Sequence, residues 1–142
     1  MLEVHSMADD NNDILLPLGY HTPLELLRKY GYRHNLQKTK ASVYANEISQ
    51  ETIVDESDAI YVALLRAKAE HVEWVASTDK NGDDVMYLQI SGGGNAKWEW
   101  RIAGSVEKRI CEELGLTKEP VRFRPDNWIP PCSPRIDQDR EL

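Results

Sequence analysis

SDAIYVALLRAKAEHVEWVASTDKNGDDVMYLQISGGGNAKWEWRIA (57–103) is the stretch that decides the fold. It contains the strongest helix formers of the chain, its two clearest turn signals and three of its four tryptophans. We interpret it as one helix followed by three antiparallel strands. The rest of the chain is expected to attach to this scaffold.

The first part of the stretch predicts a helix over residues 57–70. Its AIYVALLRAKAE segment consists almost entirely of good helix formers, and an apolar stripe runs along it at Ile60, Tyr61, Leu64 and Leu65. From His71 onward, valine, tryptophan and threonine favour a strand over residues 71–77. A helix continuing to Ser77 is the alternative, because no Gly, Pro, Asn or Asp interrupts residues 65–77. The hairpin signal DKNG (79–82) favours the strand, since a hairpin turn needs a strand on each side.

Two further strands are predicted over residues 85–91 and 96–103, joined by Gly92-Gly93-Gly94-Asn95. Hydrophobic and polar residues alternate in both, as in half-buried strands. This alternation turns Trp98 and Trp100 inward and Glu99 outward, so we expect the tryptophans of the stretch, Trp74 included, to fill the core. The glycine run lacks the Gly-Lys-Ser/Thr step of a phosphate-binding loop and is interpreted as a turn.

Outside the stretch, helices are predicted over residues 22–30 and 105–114. Thr22, Pro23 and Glu25 form a capping-box pattern, while Gly31 and Gly115 supply left-handed C′ residues. A weak helix is predicted over residues 39–49, and Val121 with Phe123 suggests a short edge strand. The predicted fold is α+β, with a three-stranded antiparallel sheet and the helices packed on one of its faces.

The 142 residues correspond to one domain. We predict a disordered segment over 1–13, an α+β domain over 14–125 and an extended, proline-containing tail over 126–142. The acidic N-terminal segment and the short apolar run Ile14–Leu18 predict no signal peptide, and no stretch is long enough for a membrane span. With two cysteines and no CxxC pair, the expected compartment is cytoplasmic, with free thiols.

No recognisable catalytic, metal or cofactor motif is present. The four histidines lie far apart without zinc-ligand spacing, and Cys111 lies beside Ile110 on a predicted helix, as a small apolar residue would. We therefore predict no cofactor, no metal and no catalytic residue.

A basic segment over residues 28–40 is a candidate phosphate or nucleic-acid contact. No acid occurs between Leu26 and Asn46, and two tyrosines are available for stacking on bases. The candidate residues are Arg28, Lys29, Tyr32, Arg33, Lys38 and Lys40. An acidic segment follows (Glu47, Glu51, Asp55, Glu56 and Asp58), and we favour pairing between the two segments or a solvated surface. The net charge of −7 disfavours binding to a polyanion.

The predicted α-β-β-β-α order over residues 57–114 resembles the topology of double-stranded RNA-binding domains, with Gly104-Ser105 opening the last helix. That family carries a lysine cluster at this helix start. Here Ser105-Val106-Glu107-Lys108-Arg109 stands in its place, so the resemblance is one of fold.

The outer face of the predicted sheet is a second candidate site. It would carry His71, Glu73, Tyr87, Glu99 and Arg101, which could supply an acid–base pair for a small hydrolase or transferase. Since no catalytic constellation is recognisable, the leading hypothesis is a small binding or regulatory protein that acts through a protein partner. A homo-oligomer is compatible with the sequence, and no membrane interaction is expected.

Overall fold

The computed structural model describes residues 14–44 and 47–129, and it contains both helices and antiparallel sheets. The strands are β1 (Ile14–Leu15), β2 (Leu18–His21), β3 (Lys38–Tyr44), β4 (Glu47–Ile53), β5 (Glu73–Thr78), β6 (Asp84–Ser91), β7 (Gly94–Asn95) and β8 (Val121–Arg122). The helices are α1 (Leu24–Arg33), α2 (Glu56–Arg66) and α3 (Gly104–Leu114), with a short 3-10 turn at Ala96–Trp98. The predicted α+β class is confirmed. Segment 1–13 and residues 130–142 of the predicted tail lie outside the described residues.

The main sheet has four antiparallel strands in the order β5-β6-β2-β8. Its β5–β6 hairpin confirms the predicted strands over 71–77 and 85–91, and it closes at the predicted DKNG turn. The Asp79 carboxylate accepts a hydrogen bond from the Asn81 N–H at 2.8 Å, and Gly82 adopts a φ of +85°. Two smaller sheets, β1–β7 and β3–β4, have two strands each.

The boundary between α2 and β5 was the most ambiguous part of the sequence. Helix α2 ends at Arg66, four residues before the predicted end, and the chain turns at Lys68, whose φ is +55°. Ala67, Ala69 and Val72 are buried, so this turn is packed into the core. A helix continuing to Ser77 is therefore wrong.

The predicted third strand over residues 96–103 is also wrong. Residues 96–98 form the 3-10 turn, and only a single bridge, from Arg101 to Ser91, joins the following segment to the sheet. Strand β2 pairs with β6 instead. Gly19 permits this approach, because a Cβ atom there would lie 2.7 Å from the Leu88 carbonyl oxygen. The three-stranded sheet on which the resemblance to RNA-binding domains depended is thus not present.

The weak helix predicted over residues 39–49 is also wrong, because this segment forms the β3–β4 hairpin. Seven residue pairs join the two strands, from Lys38 opposite Ile53 to Tyr44 opposite Glu47. Its valine, isoleucines and threonines are β-branched, which favours strands, although their spacing does not alternate cleanly with polar residues.

The core lies between the three helices and the sheet face that carries Tyr20, Leu88 and Ile90. Leu88 and Ile90 are fully buried on β6, a strand that pairs on both sides. Tyr30 and Leu27 from α1 are equally buried and join residues of α2 and α3 in the same cluster. Burial of these apolar side chains is the main force that holds the helices on the sheet.

The opposite sheet face is covered by the segment that follows β8. Phe123 is buried and stacks on Tyr87 of β6, with ring centroids 4.2 Å apart. The chain then reaches the free edge of β5, where the Asp126 N–H donates to the Ala76 carbonyl at 2.9 Å. The segment therefore runs across the sheet from the β2 edge to the β5 edge. The edge strand predicted at Val121 is confirmed as β8.

Helix α1 is not capped as predicted. The hydroxyl of buried Thr22 donates to the Met86 carbonyl and accepts from the Trp74 indole N–H, so it does not cap the helix. Gly31 lies inside the helix rather than after it, facing Val54. By contrast, Gly115 ends α3 with a φ of +73°, as predicted, and the Asp55 carboxylate caps α2 at the Ser57 N–H.

Gly31 is required for close packing of α1, and this leads to a first prediction. A Cβ atom at this position would lie 2.3 Å from Cγ1 of Val54. Alanine usually stabilises a helix by about 1 kcal/mol relative to glycine. Here we expect Gly31→Ala to lower the free energy of unfolding by about 1–2 kcal/mol, because overpacking outweighs the helix propensity. Urea unfolding followed by circular dichroism measures this change.

The Val54→Ala background separates packing from propensity. There, Gly31→Ala is expected to stabilise the protein by up to about 1 kcal/mol. Gly104→Ala is the matched control, since a Cβ atom at that position would meet no atom of another element within 4 Å. A Gly31→Ala protein as stable as the Gly104→Ala protein would contradict this account of the helix packing.

Candidate functional site

Trp98 and Trp100 lie at the surface, with exposed fractions of 81% and 54%. The prediction that they fill the core is therefore wrong. Trp74 is the exception, since it packs partly buried against the core and donates its indole N–H to Thr22 at 2.9 Å. Two large aromatic side chains two residues apart thus face solvent in one loop, residues 94–101, which we call the tryptophan loop.

The outward direction of Trp100 follows from Glu99, which lies between the two tryptophans and points inward. The side chain of Glu99 is only 13% exposed. Its carboxylate accepts from the Ser91 hydroxyl and from the Arg122 guanidinium, the latter at 2.5 Å. Glu99 has extended backbone, in which neighbouring side chains point to opposite sides. Fixing Glu99 inward therefore places Trp100 outward, while Trp98 is exposed at the end of the 3-10 turn.

The Glu99 carboxyl is held in its charged form. Burial raises its pKa, but hydrogen bonds from Arg122 and Ser91 outweigh that effect and bring the pKa below its usual value. The Arg122 guanidinium also donates to the Leu16 carbonyl at 2.8 Å. This ion pair links the tryptophan loop to β8 and to the segment between β1 and β2.

The glycine run beside the loop forms a turn, and the Trp100 indole packs against it. A Cβ atom at Gly92 would lie 2.1 Å from Nε1 of Trp100, so only glycine leaves room for the indole where it lies. Gly93 has a φ of +71° and lies close to the backbone of residues 15–17. At the other end, the Asn95 side chain accepts from the Lys97 N–H at 2.8 Å and closes the 3-10 turn.

The exposed β3–β4 hairpin is a second apolar surface. Its register places uncharged residues on one face: Thr39, Ala41, Val43, Ile48, Gln50 and Thr52. Val43 and Ile48 lie directly opposite each other, and both are largely exposed. Their side chains offer less apolar area than two indoles, so the tryptophan loop is the stronger candidate site.

The predicted basic segment is largely engaged in ion pairs or ring contacts within the protein. Arg28 lies 2.5 Å from Glu56, and Lys38 lies 2.6 Å from Asp58, so the basic and acidic segments do meet. The hydrogen bond with Asp58 raises the pKa of Lys38. The remaining candidates are placed as follows: Lys29 pairs with Glu25, Arg33 lies over the Tyr30 ring, the Tyr32 hydroxyl donates to the Thr52 carbonyl, and Lys40 is opposite Glu51.

The predicted polar sheet face is not assembled into one constellation. Its members occupy separate places: His71 precedes β5, Glu73 is opposite Gln89, Tyr87 stacks on Phe123, Glu99 pairs with Arg122, and Arg101 pairs with Glu107. Tyr87 lines a cavity at the end of β2, to which Glu73 and Arg101 do not contribute. The sequence pattern placed these residues on one face, but the loss of the third strand separates them.

A partly buried polar cluster at the junction of the three helices is not predicted by the sequence. The Tyr30 hydroxyl donates to the Glu113 carboxylate at 2.6 Å, and Arg66 donates to the same oxygen at 2.9 Å. Burial, reinforced by the bond to Glu113, raises the pKa of Tyr30. Burial also raises the pKa of Glu113, but Tyr30 and Arg66 reverse this and lower it. Since its members satisfy one another, the cluster joins helices, and no local sequence signal links residues so far apart.

The described residues contain no group of three or more His, Cys, Asp or Glu side chains that could hold a metal ion. Within the same residues, no helix combines the length and hydrophobicity that a membrane crossing requires. Comparisons with protein-family models, with curated proteins and with solved structures gave no match. Function is therefore inferred from the surface of this chain alone.

Proposed function

We propose that this is a small binding or regulatory protein without catalytic activity, which acts through a protein partner and contacts it with the tryptophan loop. The observation that carries the proposal is the exposure of Trp98 and Trp100 on a loop fixed by the Glu99–Arg122 ion pair. Tryptophan is enriched among the few residues that dominate the free energy of protein–protein binding. Exposing two such residues together is otherwise unfavourable for a protein in water.

The setting of the loop fits a protein partner. The Glu99–Arg122 ion pair holds the backbone of the loop, and the contact with Gly92 holds the Trp100 indole, before a partner binds. This reduces the conformational entropy lost on association. Exposed Lys97 and Arg101 flank the tryptophans in sequence, so charged residues adjoin the two apolar side chains. That arrangement is typical of protein interfaces.

Two alternatives receive less support. Nucleic-acid binding through residues 28–40 would compete with the ion pairs that Arg28 and Lys38 make with Glu56 and Asp58. A hydrolase or transferase site on the sheet face would need groups that the fold places apart. Neither alternative explains why two tryptophans are displayed at the surface.

Site-specific photo-crosslinking tests the proposal. With p-benzoylphenylalanine in place of Trp98, irradiation in a lysate of the source cells is expected to give a discrete covalent adduct with one protein. An excess of the unmodified chain should abolish this adduct, while an excess of the Trp98→Ala/Trp100→Ala chain should not, because the competitor lacks both indoles. Gel electrophoresis and mass spectrometry detect and identify the adduct.

The control places the same photoreactive group at Tyr61, an aromatic residue of α2 that is 63% exposed. It should not give the same adduct. If position 98 gives no specific adduct, or if both competitors suppress it equally, the tryptophan loop is not the binding surface.

A further inference from the structure

A largely apolar cavity lies at the end of β2, away from the tryptophan loop. Its volume is about 400 Å³, and its walls come from β2, the start of α1, β6 and the loop between α3 and β8. Apolar and aromatic side chains predominate: Tyr20, Pro23, Leu26, Tyr87, Leu116 and Val121. Small-molecule sites are concave, mostly apolar and upward of about 300 Å³, so the cavity lies within the range of such sites.

Aromatic rings form a preformed wall of this cavity. His21 and Tyr87 both line it, with ring centroids 5.6 Å apart and planes tilted by 46°. Phe123 stacks on Tyr87 at 4.2 Å and with an angle of 11° between the planes. Because buried Phe123 stacks on the Tyr87 ring, this ring does not have to be ordered when a ligand arrives.

Further polar groups of the cavity lie in the loop after α3. Thr117, Lys118 and Glu119 line it there, each exposed enough to meet solvent. A ligand in the cavity would therefore meet both aromatic rings and hydrogen-bonding groups. An aromatic ring that carries a polar substituent matches both.

Neither end of the described chain reaches this cavity. The first described residue, Ile14, pairs with Asn95 near the tryptophan loop. The last, Ile129, lies just beyond the segment that reaches the β5 edge, whereas the cavity adjoins β2. Neither residue lines the cavity.

We propose that this cavity is a binding site for a small molecule with a planar aromatic ring and a polar substituent. The site is separate from the tryptophan loop, and this proposal does not depend on protein binding there. Aromatic pairs prefer offset or edge-to-face geometry, which a ring beside His21 and Tyr87 can adopt. A volume near 400 Å³ lies within the range of small-molecule sites.

Two alcohols that differ only in ring saturation test the proposal on the full chain. Benzyl alcohol and cyclohexylmethanol are titrated while two-dimensional amide NMR is recorded. Benzyl alcohol is expected to give saturable shifts at residues 115–119 and at His21, and to bind about 2- to 12-fold more tightly than cyclohexylmethanol. His21→Leu should reduce this preference, because it removes one ring and keeps an apolar side chain.

His71→Leu is the matched control, since His71 is exposed and does not line the cavity. It should leave the preference unchanged. Thr117→Trp should weaken the binding of both alcohols, because the larger side chain fills the cavity from the exposed loop. The proposal is overturned if residues 115–119 and His21 show no shifts, or if the two alcohols bind with equal affinity. An unchanged preference in His21→Leu would also overturn it.

Discussion

Replacing Trp98 and Trp100 together by alanine is expected to weaken binding of the protein captured at position 98 by about 30-fold or more. Removal of a central tryptophan from an interface costs about 2–4 kcal/mol, and about 1.4 kcal/mol corresponds to a tenfold change in affinity. Isothermal titration calorimetry with the purified partner measures this loss. Because Trp98 is 81% exposed, Trp98→Ala alone should change the free energy of unfolding by no more than about 0.5 kcal/mol.

Two further variants separate loss of the indoles from general disturbance. Tyr61→Ala removes an exposed aromatic side chain from α2 and should leave the affinity unchanged. Gly92→Ala keeps both tryptophans but places a Cβ atom 2.1 Å from Nε1 of Trp100, which must move, so it should weaken binding. Unchanged affinity in the double tryptophan variant would show that the partner binds elsewhere.

Truncation of Leu88 to alanine is expected to have the largest effect on stability. Leu88 is fully buried on β6, which pairs with β5 and with β2 and faces the helices. Large-to-small substitutions of buried leucine cost about 2–5 kcal/mol, because transfer free energy is lost and a cavity remains. Small domains have about 5–15 kcal/mol of stability in total, so this variant should unfold at a much lower urea concentration.

Leu65→Ala is the matched control for this substitution. Leu65 lies on α2 and is 40% exposed, so alanine there removes little buried surface. We expect its free energy of unfolding to fall by less than about 1 kcal/mol. If the two leucine variants unfold at the same urea concentration, the assignment of β6 to the centre of the core is wrong.

Several elements were predictable because their signals are local. The DKNG turn fixes the β5–β6 hairpin, since its backbone geometry requires Gly82 and a strand on either side. The end of α3 is fixed in the same way by Gly115. In each case a few adjacent residues decide the conformation, whatever the rest of the chain does.

The WEW segment shows why the candidate site was not predictable. Alternation predicts that Trp98 and Trp100 share a side opposite Glu99; in the structure both tryptophans are exposed and the Glu99 side chain is largely buried. It does not state which side is buried. Arg122, which is 23 residues away in sequence, decides which side is buried, because its guanidinium pairs with the Glu99 carboxylate and holds it inward. Hydrophobicity alone favoured the reverse orientation.

The sequence by itself determined the α+β class, the β5–β6 hairpin, and the extents of the three observed helices to within a few residues. Only the tertiary structure decided that β2 takes the place beside β6, that residues 38–53 form a hairpin, and that the tryptophans face outward. The physical reason is the range of the interactions. Turns and helix ends depend on neighbouring residues, whereas strand pairing and the Glu99–Arg122 ion pair join residues that become neighbours only when the chain has folded.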